Sequence, residues 1–198
     1  MGLADQSPWR SSLLRTADNL LFRHWLLDRG SLTARIQARG RFAVRVLRQG
    51  RASPTADEAL ALGLAGEVHT WVREVALFCD EQIVVFAHTV LPCQPRGPLT
   101  LWLKRLGSRS LGALLFAHAG FIRGPMHFKR IDRRHELFAP AVTARQRAER
   151  APHSLWARRS HFRFGAQCVL VTEVFSPRLL ESPRHPRLSL ASSDDPSR

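Results

Sequence analysis

The feature that most constrains this chain is the stretch at residues 67–92, EVHTWVREVALFCDEQIVVFAHTVLP. Apolar and β-branched residues alternate on both sides of Asp80-Glu81-Gln82, which predicts two strands joined by a tight turn. Because side chains alternate with period two, one face of the first strand is an apolar row with one charged member: Trp71, Arg73, Val75, Leu77 and Cys79. Arg73 is therefore predicted to need a negative partner, either a carboxylate of the protein or an anionic ligand, since an unpaired buried charge costs roughly several kcal/mol.

A later run at residues 167–175 poses the complementary problem. Its period-two row is apolar except for one carboxylate: Val169, Val171, Glu173 and Phe175. One interpretation pairs Arg73 with Glu173 as a structural salt bridge across the sheet. The other interpretation has both residues line a closed pocket that holds a polar, anionic molecule. The residues alone leave both interpretations open.

The rest of the chain predicts short helices and strands. A helix is predicted at 17–27, with Asp18 as its N-cap and Gly30 as its stop. Further helical segments are predicted from Ser31 to Gly40, as a turn at 56–62, at 98–105 and within 141–151. Extended segments are predicted at 42–47, 111–116, 120–131, 160–164 and 167–175. Strands joined by tight turns, with helices before and between them, indicate an α+β fold. We expect a single, mainly antiparallel sheet with helices packed on it.

Length and composition fit one globular domain. We expect an N-terminal extension at 1–16, a domain at 17–177, and a flexible tail at 178–198 that is rich in Pro and Ser. The sequence has no run of about 18 apolar residues, so no membrane span is predicted. Residues 1–16 lack the apolar core of a secretory signal. We therefore expect a cytoplasmic protein. The three cysteines, Cys79, Cys93 and Cys168, lack zinc-site spacing, and the two that lie in strand-like runs are predicted to be small core residues.

The chain is strongly basic, with a formal net charge of +14. Residues 123–163 hold eleven Lys and Arg against three Asp and Glu, including a basic patch at 145–150. Few aromatic residues interleave with these charges and the chain has no Tyr, so a nucleic acid is not an expected partner. A solvated surface is the simpler interpretation, and a positive field that attracts a small dianion is a second one.

Other catalytic motifs are missing from the sequence. There is no HExxH, GxSxG, Walker or GxGxxG pattern, and most histidines of the basic segment are predicted to face solvent. The sequence therefore predicts neither a metal nor a nucleotide cofactor.

Six short motifs occur in the order seen in chorismate pyruvate-lyases. They are Trp71-Val72-Arg73-Glu74-Val75, Thr89-Val90-Leu91-Pro92, Leu106-Gly107, Leu111-Gly112, Trp156-Ala157-Arg158-Arg159-Ser160 and Thr172-Glu173-Val174-Phe175-Ser176-Pro177. The chain resembles this family over about residues 17–177. The resemblance implies one antiparallel sheet with a largely enclosed site beneath helical flaps, and residues 132–154 look like a basic insertion relative to the family pattern.

The resemblance also implies an activity and its site. The family converts chorismate to 4-hydroxybenzoate and pyruvate for ubiquinone synthesis, without a cofactor, and a monomer is expected. Arg73 matches the position that pairs with the ring carboxylate, Leu111 one that contacts the ring, and Glu173 one that takes the ring hydroxyl. Leu32 stands where the family has Met, and Ser110 where it has Pro. Arg73→Ala is expected to abolish substrate binding and to leave a buried carboxylate unpaired; whether Glu173 is a base or a positioning group is left open.

Two further classes of function stay open at this point. The same fold serves as the ligand-sensing domain of transcription regulators, so a binding module without turnover is the alternative to a lyase. The presence of both Arg73 and Glu173, and the lack of a helix-turn-helix extension, favour the lyase. A basic protein that binds nucleic acid nonspecifically is the third class, and its affinity would depend on salt.

Overall fold

The computed structural model describes residues 8–65, 69–93, 97–118, 120–144 and 152–181 of the chain. Parts of several predictions lie outside the described residues: the start of the hairpin at Glu67, residues 1–7 of the extension, the basic patch at 145–150 and residues 182–198 of the tail. The predicted domain boundaries stay a prediction. Part of the segment predicted as a tail packs on the fold, because Pro177–Leu180 forms a 3-10 turn whose Leu179 is buried.

Among the described residues, six strands form one antiparallel sheet. They are β1 Phe42–Ala52, β2 Thr70–Cys79, β3 Gln82–Pro92, β4 Ile122–Asp132, β5 Ser154–Phe164 and β6 Gln167–Phe175. Their order is β1-β2-β3-β6-β5-β4, and each neighbouring pair is antiparallel. The predicted α+β fold with a mainly antiparallel sheet is confirmed. Strands β1 and β5 are longer than predicted.

The predicted hairpin is confirmed as β2 and β3. Its turn is made by Asp80 and Glu81, whose φ angles of 46° and 70° are both positive. A two-residue turn with both φ angles positive matches the twist of the flanking strands, and it places Cys79 opposite Gln82. A register shift between Leu77 and Phe78 inserts one extra residue on β3, so that Arg73 lies opposite Thr89. The extra residue is not on β2, so the side chains of the predicted apolar row share one face of the sheet.

The described helices are short. They are α1 Arg23–Leu26, α2 Leu32–Gln37, α3 Ala56–Leu62, α4 Pro98–Arg105, α5 Leu111–Ala117 and α6 Phe138–Thr143, with a further 3-10 turn at Ala17–Asn19. Helices α3 and α4 have the predicted bounds, and Ser31 caps α2 as predicted, its hydroxyl accepting from the backbone N–H of Ala34. Among the described residues, no helix is long and apolar enough to cross a membrane.

Two local predictions are wrong. The continuous helix predicted at 17–27 is instead a 3-10 turn at Ala17–Asn19, capped by Thr16, followed by the single turn α1. The run at 111–116 is helix α5 and not extended, because Ser110 caps it by accepting from the N–H of Ala113.

Helices cover both faces of the sheet. On one face α1, α2, α4 and α5 bury two apolar clusters against the strands, one around Leu26, Val75 and Phe175, the other around Leu91, Leu103 and Phe162. On the opposite face α6 covers a third cluster that includes Phe86, Phe138 and Val174. The sheet is therefore the middle layer of the described fold.

The opposite face also holds a buried ionic group. His88 on β3 is 5% exposed, and its two ring nitrogens lie 3.1 Å from a carboxylate oxygen of Glu74 on β2 and 3.1 Å from one of Glu58 on α3. Burial lowers the pKa of His88, but hydrogen bonds and charge attraction from the two carboxylates outweigh burial and raise the pKa to about 9. The charged histidine thus ties α3 to the sheet.

We expect this histidine to make folding stability fall as pH rises from about 6.5 to 9. A pKa raised above its ordinary value of 6.5 adds stability below pH 6.5, which disappears as pH passes the folded-state pKa of about 9. The loss is on the order of 3 kcal/mol. Urea unfolding between pH 6 and 9.5 measures it. His88→Gln should flatten the curve, whereas the exposed control His153→Gln should not. A wild-type curve that is flat or rises over this interval would contradict the expectation.

Candidate active site

A pocket lies between the sheet and helices α2 and α5, at the junction of the two apolar clusters on that face. The space free of protein atoms in the pocket and at its open mouth amounts to about 580 Å³. Its floor comes from side chains of β2, β3, β5 and β6, and its cover from the two helices: Arg73, Thr89, Ser160 and Glu173 below, Leu32, Ser110 and Leu111 above, with apolar side chains between them. The four residues predicted from the sequence, Leu32, Arg73, Leu111 and Glu173, all line this pocket.

Arg73 is buried, with 2% of its surface exposed, and its contacts are neutral. One terminal nitrogen donates to the side-chain carbonyl of Gln49 on β1. The other donates to the backbone carbonyls of Gly107 at 2.7 Å and Arg109 at 3.2 Å. Of the five N–H groups of a guanidinium, two are left with no partner among the described residues.

No carboxylate of the described residues pairs with Arg73. The interpretation that joined Arg73 to Glu173 as a salt bridge is therefore wrong, and so is the expectation that Arg73→Ala would orphan a carboxylate. Burial lowers the pKa of Arg73 from its ordinary value, with no opposing charge to restore it. A buried cation with neutral partners favours an anion in the adjacent pocket.

Glu173 on β6 pairs with a different arginine. Its Oε2 lies 2.5 Å from Nε of Arg158 on β5, the residue directly opposite in the ladder. Arg158 is 1% exposed, and its Nη1 also donates to the backbone carbonyls of Trp25 at 2.7 Å and Asp28 at 2.6 Å. The pair fixes the Glu173 carboxylate in the pocket wall and joins it to the segment that leads into α2.

Helices α2 and α5 meet over the pocket. The hydroxyls of Thr33 and Ser110 are 2.6 Å apart and share a hydrogen bond. Gly112 allows this approach, because a Cβ at that position would lie 3.0 Å from the Thr33 hydroxyl oxygen. Ser110 therefore both caps α5 and joins the two helices. The adjacent Leu32 and Leu111 supply the apolar cover.

This geometry suits a small, flat molecule with unlike ends. An anionic group fits Arg73, a hydrogen-bond donor fits Glu173, and apolar side chains line the space between. Among the residues that the structure describes, no three His, Cys, Asp or Glu side chains are placed to hold a metal ion.

Comparison with known proteins gives the family. The family model "Chorismate lyase" matches residues 5–184 of this chain. The chain belongs to the chorismate lyase family. It is 49% identical over 177 residues to a "probable chorismate pyruvate-lyase" of Dechloromonas aromatica, covering 88% of this chain and 97% of that protein. It is 42% identical over 189 residues to a protein of the same name from an Azoarcus species, covering 92% and 97%.

Solved structures with a similar fold include transcription regulators. PhnF from Mycobacterium smegmatis matches with a TM-score of 0.54 at 16% identity, covering 81% of this chain and 71% of that one. The C-terminal domain of the histidine utilization repressor from Pseudomonas syringae matches with a TM-score of 0.53 at 14% identity, covering 74% and 96%. At such low identity the likeness shows a shared fold between these regulators and the chorismate lyase family, and nothing about ligands.

Sequence reasoning missed one arginine of this chorismate lyase pocket, Arg123, and two residues that bind its charged side chains, Arg158 and Gln49. Arg158 could have been found, because it is the charged member of a period-two row on β5: Trp156, Arg158, Ser160 and Phe162. Arg123 on β4 also lines the pocket, but no alternation marks it, since the ladder is irregular between Arg123 and Met126. Gln49 carried no signal, because it is an exposed residue of the edge strand β1.

Proposed function

We propose that this protein is a chorismate pyruvate-lyase, which eliminates pyruvate from chorismate to give 4-hydroxybenzoate, and that the pocket between Arg73 and Glu173 is its active site. The observation that carries the proposal is a buried arginine without a carboxylate partner at one end of the pocket and a fixed carboxylate at the other, in a chain of the chorismate lyase family. The ring carboxylate binds Arg73, and the ring hydroxyl donates to Glu173. Leu32 and Leu111 pack on the ring.

The proposed reaction requires no covalent bond between the substrate and the protein. The C4 hydrogen of the ring leaves as a proton, the C3–O bond breaks, and its electron pair departs with the enolpyruvyl group. The ring thereby becomes aromatic, and the leaving group takes up a proton at its methylene carbon to become pyruvate. Holding the dianion in one conformation and excluding water are the main contributions that the pocket can make.

In this proposal Glu173 positions the ring hydroxyl. Its Oε2 already accepts a short hydrogen bond from Arg158, so Oε1 is left to accept from the substrate. A carboxylate engaged in this way is better suited to hold and polarise a hydroxyl than to take up a proton. The enolpyruvyl group itself, or a water molecule, then accepts the C4 proton.

The test follows both products from purified protein and chorismate, without metal or nucleotide. We expect 4-hydroxybenzoate and pyruvate to appear in equal amounts. Glu173→Gln keeps a hydrogen-bond acceptor, so a positioning role predicts a loss in kcat of about tenfold, whereas a general base would lose ~100- to 10,000-fold. Binding of chorismate with neither product formed would overturn the lyase assignment.

That last result would favour a ligand-sensing domain without turnover, the second candidate. The observation that speaks for it is the fold that this chain shares with regulator domains.

The lyase proposal also keeps the sequence-based expectations of a cytoplasmic monomer whose product is used in ubiquinone synthesis. Light scattering on the purified protein tests the monomer directly.

A further inference from the structure

Arg123 on β4 is a second arginine of the pocket wall that the proposed contacts with ring carboxylate and ring hydroxyl do not use. Its Nε donates to the hydroxyl of Ser160 at 3.0 Å, and its Nη1 donates to the backbone carbonyl of Arg29 at 2.9 Å. The guanidinium carbon also lies 5.7 Å and 5.2 Å from the ring centres of Phe116 and Phe162. These four contacts hold the guanidinium in one orientation.

The charge of Arg123 is not matched by an ion pair. In the part of the chain that the structure describes, its hydrogen bonds go to a hydroxyl and a carbonyl, both neutral. Burial lowers the pKa of Arg123 from its ordinary value, and the nearby charge of Glu173 opposes that effect. Glu173 itself is engaged by Arg158. A partly buried cation with neutral partners, facing a cavity, favours an anionic group of a ligand.

The sheet places Arg123 far from Arg73 and close to Glu173. Arg73, Thr89, Val171 and Ser160 are successive partners across β2, β3, β6 and β5. With strands about 4.8 Å apart, the backbones of Arg73 and Ser160 are separated by roughly 14 Å. Arg123 is bonded to Ser160, and its charge interacts with that of Glu173. The pocket therefore has a cation at each end, with Glu173 near the second one.

The substrate carries its charges in a matching order. Chorismate has one carboxylate on C1 and a second on the enolpyruvyl ether at C3, next to the hydroxyl on C4. With the first carboxylate on Arg73 and the hydroxyl on Glu173, the C3 substituent extends near the Glu173 end of the pocket.

We propose that Arg123 binds the enolpyruvyl carboxylate of chorismate, an inference that rests on the proposed lyase function. Arg123 then holds the group that leaves, and it distinguishes substrate from product, because 4-hydroxybenzoate lacks this carboxylate. Arg73, in contrast, contacts a carboxylate that both molecules carry.

The test compares the two ligands in the Arg123→Met protein. We expect the KM for chorismate to rise about 30-fold or more, as for loss of a buried charge pair. The Kd for 4-hydroxybenzoate, measured by calorimetry, should change less than about twofold, since the product makes no contact with Arg123. Arg123→Lys should recover part of the chorismate affinity, because it restores the charge without the fork. The exposed Arg133→Met is the control and should match wild type.

Each outcome decides between the two proposals. An active wild type with an unchanged KM in Arg123→Met overturns the role of Arg123 and leaves the lyase function standing. Equal weakening of chorismate and 4-hydroxybenzoate also overturns it, since the residue would then support the pocket as a whole. A wild type that neither binds nor converts chorismate overturns the lyase function and this inference together. Should Arg123→Met unfold in urea more readily than wild type, Arg123→Gln replaces it in the same comparison.

Discussion

Replacing Arg73 by Met should abolish tight binding of chorismate and of 4-hydroxybenzoate while leaving the protein folded. Removing one member of a buried charge pair between protein and ligand costs about 2–5 kcal/mol or more, which corresponds to ~30- to 5,000-fold in Kd. The fold should tolerate the change, because the partners of Arg73 are neutral oxygens: the side-chain carbonyl of Gln49 and the backbone carbonyls of Gly107 and Arg109. No protein carboxylate among the described residues is orphaned by the loss.

Two measurements check this expectation. Calorimetric titration gives the Kd for 4-hydroxybenzoate, and urea unfolding gives the free energy of unfolding. The exposed Arg51 on the edge strand β1 provides a matched control, since Arg51→Met removes the same charge away from the pocket. Normal affinity in Arg73→Met would remove this residue from the binding site. A loss of both affinity and fold would mean that Arg73 acts mainly by holding the loop of Gly107 and Arg109.

Arg158→Met should be strongly destabilising, in contrast to Arg73→Met. The substitution leaves the Glu173 carboxylate without its partner and deprives the backbone carbonyls of Trp25 and Asp28 of a donor. Breaking a buried pair by removing one partner costs about 3–5 kcal/mol. The segment between α1 and α2 should loosen as well, since these carbonyls lie at the C-terminal end of α1.

The free energy of unfolding in urea measures this loss. Arg163→Met, an exposed change on the same strand β5, should alter stability by no more than about 0.5 kcal/mol. The double variant Arg158→Met with Glu173→Gln should recover part of the lost stability, because a neutral amide then replaces the unpaired carboxylate. A loss below about 1 kcal/mol in Arg158→Met, or no recovery in the double variant, would contradict the buried pair seen here.

The sequence identified two charged residues that line the pocket, Arg73 and Glu173, but not their hydrogen-bond partners. Arg73 and Glu173 stand out because each is the charged member of an alternating apolar row, and alternation fixes the face of a strand. Pairing depends on strand order, which alternation does not give. Because β3 lies between β2 and β6, the row of Arg73 and the row of Glu173 are separated by a strand, and Arg158 on β5 is the closer cation.

Short segments account for the local errors. The run 111–116 is apolar and brief, and such a run does not distinguish strand from helix by periodicity. What decides is the Ser110 cap, together with the packing of α5 on α2 through Thr33. Likewise, the amphipathic pattern at 17–27 predicted one helix, whereas the structure has a 3-10 turn at Ala17–Asn19 and the single turn α1. Arg123 could not be predicted as a pocket residue from the sequence, because the irregular pairing of β4 interrupts the alternation by which Arg73 was found.

The order of the strands also determines how this sheet meets its surroundings. β1 and β4 form its two edges, and an unprotected edge strand is a template on which another chain can add and aggregate. Three exposed arginines lie along β1, at positions 45, 48 and 51. A register shift between Val46 and Arg48 interrupts the pairing of β1 with β2. On β4, Arg10 takes up both backbone hydrogen bonds of Phe128. An approaching copy would meet like charge along one edge and, at the other, a strand that Arg10 already pairs at Phe128. Part of the chain's positive charge should therefore oppose edge-to-edge association of crowded molecules.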